Sequence, residues 1–390
     1  MPRKLISLLV IWLAAVITYA NVFIMPPLLL DFMKTLTISY EGAGLLMTSF
    51  ALAYAASGIP AGYIASRIGA RECMLTGLAC ILLAQCGISL TQYFPLILGL
   101  RGLVGFGAAN VWISSVLYIR CHVPSSEWGR ALGGLNAGVN AGTALVMAFA
   151  PPLAQFRGLA LPIQVFALAV LPFLFAVFLL PSVKQRSNLD DSTLTSMPKP
   201  GRYWIQVCLL CAMSFAVYFH IYAIFTWVPP FVFETLRADP TTGGLVSSVL
   251  ALTGIAASVV GGVIADRPRM LHTTVTAGMI VMLSTYFLTA HITKLSHMVL
   301  LMLAVGWGSN MALGPLFALP AFVVPPKAAA KTTGLVGTAG FSASIVSTYL
   351  GGYILDLTHS YSVILFTVVA VTMIGIISSI LLRRSTGANQ

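Results

Sequence analysis

The chain has 390 residues, of which 58% are hydrophobic and only 8% are charged, with a formal net charge of +11. A soluble domain carries about 25% charged residues, so this composition excludes an ordinary soluble fold and places the chain in lipid. The basic excess sits between apolar segments, where a membrane protein carries its cytoplasmic anchors, and needs no nucleic-acid partner.

A hydrocarbon core of about 30 Å needs about 20 apolar residues per helix. On that measure the chain divides into twelve predicted spans: 5–30, 42–64, 72–90, 94–119, 131–153, 160–181, 203–229, 243–264, 272–290, 297–321, 332–353 and 361–382. The first is long enough to cross and similar stretches follow it, so it reads as a helix that is kept and not as a cleaved signal peptide. Pro151, Pro152, Pro229 and Pro230 mark expected helix ends. Sixteen of the 21 Lys and Arg residues fall on one side of this arrangement and four on the other, which predicts cytoplasmic termini in a plasma (inner) membrane. Pro181 to Arg202 is the longest polar stretch. The expected organisation is therefore a six-helix unit over 1–181, a cytoplasmic linker over 182–202 and a second six-helix unit over 203–390.

Taken in chain order, span 1 carries Tyr19 and Asn21 just past its midpoint. Span 4 carries Arg101, about 10 Å deep at 1.5 Å per residue, with no Asp or Glu predicted inside any span to neutralise it. Arg101, Gly105, Ala108 and Trp112 share one face at 100° per residue. Two readings stand for this arginine: substrate contact or coupling, and a tie to helix-end carbonyls. Asn110 projects to the other side and suits helix-to-helix bonding, as do Asn136 and Asn140 in span 5. Span 7 presents Tyr218, Tyr222 and Thr226 on one stripe and His220 on another, and periodicity does not say which stripe lines a cavity. His220 is the ordinary titrating group within the spans, so a proton relay and a packed core histidine are both open. Trp307 and Asn310 lie near the middle of span 10. The six cysteines are expected as free thiols, no histidine or cysteine spacing forms a metal pattern, and no nucleotide-binding loop or zinc-protease motif occurs, so neither cofactor nor catalysis is expected.

Gly62-Tyr-Ile-Ala-Ser66-Arg67 after span 2 recurs 200 residues later as Gly262-Val-Ile-Ala-Asp266-Arg267 after span 8. The same offset relates Asn110 to Asn310 and Gly134 to Gly334, which argues for a duplication. Two parallel repeats enclose a central cavity and rock about it, an architecture that suits transport.

The stretch GYIASRIGAR over 62–71 resembles the signature loop of the major facilitator superfamily, and Arg101 to Gly107 resembles that family's helix 4 motif. Ser66 departs from the pattern, which usually has an acidic residue there, while the second copy keeps it as Asp266. The resemblance implies an all-α polytopic fold of twelve helices in two pseudo-symmetric six-helix bundles. It also implies that spans 1, 4, 7 and 10 line the cavity, and that Ser66, Arg67, Arg71, Asp266 and Arg267 act in cytoplasmic gating. Asp266 is expected to engage charges or the start of span 11. On these grounds the expected activity is secondary transport of a small organic anion by a monomer, with H+ as the candidate coupling ion. Export of drug-like lipophilic or cationic compounds is the alternative.

Overall fold

The computed structural model describes residues 2–124, 127–182, 201–289 and 294–386; the linker residues 183–200 and the side chain of Ser66 lie outside the described residues. The described chain is all-α: α1 (Pro2–Val22), α2 (Leu29–Leu36), α3 (Tyr40–Ile68), α4 (Ala70–Leu90), α5 (Phe94–His122), α6 (Trp128–Arg157), α7 (Ala160–Leu168), α8 (Val170–Phe178), α9 (Arg202–Glu234), α10 (Pro240–Ala265), α11 (Leu271–Thr289), α12 (Leu295–Ala318), α13 (Pro320–Val323), α14 (Pro326–Thr358) and α15 (Tyr361–Thr386). Among the described residues, nine helical segments are long and apolar enough to cross a membrane. Leu9, Leu83, Phe149, Phe175 and Ile374 stand exposed on the outside of the bundle, which water would penalise and lipid does not. The protein is an all-α polytopic membrane protein.

Helix ends follow proline chemistry, though not always as the sequence suggests. Pro26 and Pro27 have no N–H to give, so predicted span 1 breaks into α1, a 3-10 turn over Pro26–Leu28, and α2. Pro172 likewise has no N–H to offer the Leu168 carbonyl, and predicted span 6 divides at Ala169 into α7 and α8. Pro229 and Pro230 do not end α9, which continues to Glu234, and α6 runs through Pro151 and Pro152 to Arg157. Membrane helices tolerate such prolines because neighbouring groups satisfy the carbonyls they free.

Glycines set the closest approaches. A Cβ on Gly142 of α6 would collide with the Val16 carbonyl of α1, and one on Gly105 of α5 with the Phe50 carbonyl of α3. These contacts bring α1 within backbone distance of α6, and α3 within backbone distance of α5, as small residues do between membrane helices. The most extensive pairings are α6 with α10, α10 with α12, and α3 with α5; α9 and α3 both pack on α14. Tyr40, Glu234, Asp356 and Tyr361 gather at one end of the bundle, here the far face. The start of α1 and the end of α15 lie at the other, the termini face.

Candidate functional site

The middle of the bundle is a cluster of rings from six helices. The Tyr19 and Tyr54 hydroxyls are 3.3 Å apart, and the Trp112 ring meets Tyr19 edge-on at 6.2 Å. Phe23, one turn beyond Tyr19, packs on Tyr222 at 5.7 Å and Phe225 at 5.2 Å. Tyr54 and Tyr218 both contact Phe341, at 4.3 and 5.3 Å, and Tyr218 also meets Phe317. Helical spacing explains the assembly, since Tyr19 and Phe23, Phe50 and Tyr54, and Tyr218 and Tyr222 are each four apart and stack along their own helices. The structure thus brings together four of the sequence candidates, Tyr19, Trp112, Tyr218 and Tyr222. It also adds Tyr54 and Phe341 from α3 and α14. The named rings are neutral, and their phenols supply the polarity.

Arg101 lies one ring behind this cluster. Its side chain is fully buried, and its guanidinium sits 5.3 Å from the centroid of Phe50, which in turn packs on Tyr54. Nε donates to the Leu46 carbonyl at 3.2 Å and Nη2 to the Val22 carbonyl at 3.1 Å. These bonds fasten α5 to α3 and to the end of α1, so the tie to backbone carbonyls describes Arg101 in this conformation. Nη1 is buried with no hydrogen-bond partner, a costly state for a cationic donor and one that an acceptor would relieve.

Other candidates stand elsewhere. His220 faces α15: Thr372 Oγ1 donates to the Val368 carbonyl at 2.7 Å, so it accepts from His220 Nδ1 at 3.1 Å, and Nε2 is buried with no hydrogen-bond partner. This is a packed histidine on the side of α9 away from the Tyr218–Tyr222 stripe. Asn21 gives its amide to the Ile17 and Phe166 carbonyls, both at 2.9 Å, and ties α1 to α7 instead of lining the cluster. Trp307 is 39% exposed on the outer surface of α12. Asn310 joins a buried knot in which Asn140 Nδ2 donates to Asn310 Oδ1 at 2.8 Å and to Ser258 Oγ at 3.1 Å, across α6, α10 and α12. Gly254 leaves the room for it. Asn110 accepts from Cys73 Sγ and bonds within α5, and all six cysteines are free.

On the termini face, Asp266 Oδ1 accepts from the Gly129 N–H at 3.0 Å in the first turn of α6, and its other oxygen lies 3.8 Å from Arg130 Nε. The carboxylate is engaged by a helix N-terminus as expected, but by that of predicted span 5 and not span 11. Arg71 pairs with adjacent Glu72 at 2.9 Å and donates to the Leu180 carbonyl at 3.2 Å, while Arg67 lies over Tyr63 of its own helix. Arg267 is exposed before the 3-10 turn Pro268–Met270.

The far face holds a constellation that the sequence reading did not assemble. Asp356 of α14 accepts from the Tyr40 and Glu41 N–H groups at 3.1 and 2.8 Å, capping α3. Glu234 of α9 accepts from the Tyr40 hydroxyl at 2.5 Å and the Tyr361 hydroxyl at 2.7 Å, and Glu41 accepts from Tyr349 at 2.5 Å. The α3–α14 seam is thus closed from the far face inward to Tyr54 and Phe341. Beyond that pair, Gly58, Gly62 and Gly334 border open space. The signal was present as carboxylates and tyrosines at predicted span ends, but their partners come from helices up to 316 positions away.

The profile of the Major Facilitator Superfamily matches residues 11–348 and 210–389. "Probable anion transporter 5" of Arabidopsis thaliana is 26% identical over 82% of this chain and 80% of its own length. The probable galactarate/D-glucarate transporter of Bacillus subtilis (strain 168) is 25% identical over 87% and 83%, and the probable L-galactonate transporter of Escherichia coli (strain K12) 22% identical over 97% and 89%. A solved structure of a bacterial homolog to the human lysosomal transporter Spinster, in an inward-facing and occupied conformation, superposes with a TM-score of 0.77 at 15% identity, covering 99% of this chain and 97% of that one. The chain belongs to the Major Facilitator Superfamily.

Proposed function

We propose that this member of the Major Facilitator Superfamily carries out secondary transport of a small organic anion by alternating access. The nine apolar segments, with α3, α11 and α14, make twelve spans in two six-helix bundles, 1–181 and 203–390, which rock about the ring cluster. The termini face is cytoplasmic, by the excess of Lys and Arg there, and the membrane is the plasma (inner) membrane. The carrier works as a monomer and catalyses no covalent step.

One observation carries the anion reading. Among the described residues, Arg101 is the single Asp, Glu, Lys or Arg that is buried, and its Nη1 has no partner. A lone cation in lipid is costly, and a bound carboxylate would offset that cost. The named relatives, anion and sugar-acid carriers over most of this chain, support the same class. The gate and ring residues would separate the two facing states. Where the transport is coupled to protons, we assign the proton to Glu234, because its bond to Tyr40 crosses from one bundle to the other and would be made only while the far face is closed, whereas its bond to Tyr361 stays within one bundle.

The test is uptake of galactarate, D-glucarate and L-galactonate into proteoliposomes by the native chain, Arg101→Lys and Arg101→Gln, with thermal unfolding followed in parallel. Loss of uptake in Arg101→Gln, with unfolding temperature retained, is expected; unchanged uptake and affinity would remove Arg101 from substrate recognition. The neutral aromatic cluster favours the second reading, export of lipophilic or cationic compounds, since ring faces attract cations. Tighter binding of a lipophilic cation than of any tested anion would decide for it.

A further inference from the structure

Between α11 and α15 at the termini face lies a cavity of about 690 Å³, well apart from the ring cluster. The two helices pack on each other and on α9, α10, α12 and α14. Arg383 and Arg384 line one end of the cavity with Thr273, all three exposed. Further into the bilayer its walls are Ala277, Ile280 and Ile380, with Ile280 52% and Ile380 45% exposed. The back is hydrogen-bonded: Ser379 and Thr276 hydroxyls are 2.7 Å apart, Thr276 bonds the His272 carbonyl at 2.9 Å, and His272 Nδ1 lies 3.4 Å from Ser379.

We propose that this cavity binds an anionic phospholipid, the phosphate held by Arg383, Arg384 and Thr273 and the glycerol and upper acyl chains lying along Ala277, Ile280 and Ile380. The order of chemistry with depth is that of a phospholipid. Two cations and a hydroxyl stand at the surface, and apolar side chains begin one turn deeper. Thr273 and Ile280 differ by seven residues, about 10 Å along the helix, enough to run from a phosphate past the glycerol to the upper acyl chain. Basic pockets between membrane helices on the cytoplasmic side recognise such headgroups, whereas a water-soluble phosphate ester would leave the isoleucine walls facing lipid unused. The proposal rests on the orientation given above only in naming the inner leaflet as the lipid's source.

The experiment is native mass spectrometry of the full chain in detergent, titrated with phosphatidylglycerol, with phosphatidylcholine of the same acyl chains, and with inorganic phosphate. Phosphatidylglycerol is expected to bind at least tenfold tighter than phosphatidylcholine. Arg383→Gln/Arg384→Gln should weaken it by about tenfold to thirtyfold, the loss expected for two surface cations. Ala277→Trp, which fills the apolar wall from an exposed position, should weaken it comparably while leaving both charges in place. Arg157→Gln, at the other face, should leave binding unchanged. Equal retention of the two lipids, or phosphatidylglycerol binding indifferent to both cavity variants, overturns the site. Inorganic phosphate bound as tightly as the lipid and unaffected by Ala277→Trp would make it an aqueous anion site and also overturn the proposal. None of these readouts involves transport, so they fail or succeed independently of the substrate assignment.

Discussion

Replacing Asp356 with Asn should open the far face. The carboxylate receives two N–H groups from the first turn of α3, at 3.1 and 2.8 Å, and so places a full charge at the positive end of that helix from the opposite side of the seam. Asn retains one acceptor oxygen but turns its amide against the second N–H, losing one charge-assisted bond and the charge itself. Such bonds contribute about 1.5–3 kcal/mol when well shielded, and the partial exposure of Asp356 reduces this to about 1.5–2 kcal/mol. If the closed state alone makes this contact, the ratio of open to closed far face should rise about tenfold to thirtyfold. Glu234 and Glu41 still hold their tyrosines, so the shift stays partial. Pulsed electron–electron distances between spin labels at Thr35 and Thr358 would show it as a new, longer population. A distance distribution identical to that of the native protein, in a variant that unfolds at the native temperature, would refute the reasoning.

Asp266→Asn removes the corresponding charge from the start of α6 and should lengthen the distance between labels at Glu127 and Arg267 in part of the population; no change would remove the latch. Asn140→Ala leaves Asn310 Oδ1 only the longer bond from Ser258 Oγ at 3.4 Å and should lower stability by about 1–2 kcal/mol, read as a fall in unfolding temperature, and an unchanged temperature would count against the knot. In liposomes, substrate-driven proton movement should persist in His220→Gln and vanish in Glu234→Gln. The reverse pattern would return the proton to the histidine.

What the sequence reveals here is what one helix determines alone. Apolar length gives the spans, and a step of four gives the Tyr218–Tyr222 stripe. Which stripe faces inward is decided by Phe23, in the other half of the chain, by Phe341, distant in the same half, and by Thr372, 152 positions from His220, and no local period encodes them. Arg101 was legible as exceptional from charge and depth. That its first partners are the Val22 and Leu46 carbonyls depends on the break at Pro26 and Pro27, which brings the end of α1 beside it. The far-face carboxylates were visible only as span ends, because a carboxylate's partners cannot be inferred from its own helix.

The partner of Asp266 could have been found by carrying the 200-residue offset through both sides of the contact. The offset relates position 266 to 66 and position 129 to 329. If a loop after span 2 meets the start of span 11, then the loop after span 8 must meet the start of span 5, which is where Gly129 lies. The two seams are therefore unequal in a way that follows from a single residue. At the α6–α10 seam a carboxylate grips a helix N-terminus, and Gly133 and Gly262 let the backbones close beneath it. At the α3–α14 seam the equivalent position is Ser66, which carries no charge, and Gly58, Gly62 and Gly334 border open space. The charge lost from that seam at the termini face has a counterpart at the far face, where Asp356 caps α3 from α14. One seam is thus fastened at the termini face and the other at the far face, so a rocking motion that opens the termini face would break the Asp266 contact between α6 and α10 and pivot on the far-face contacts of α3 with α14.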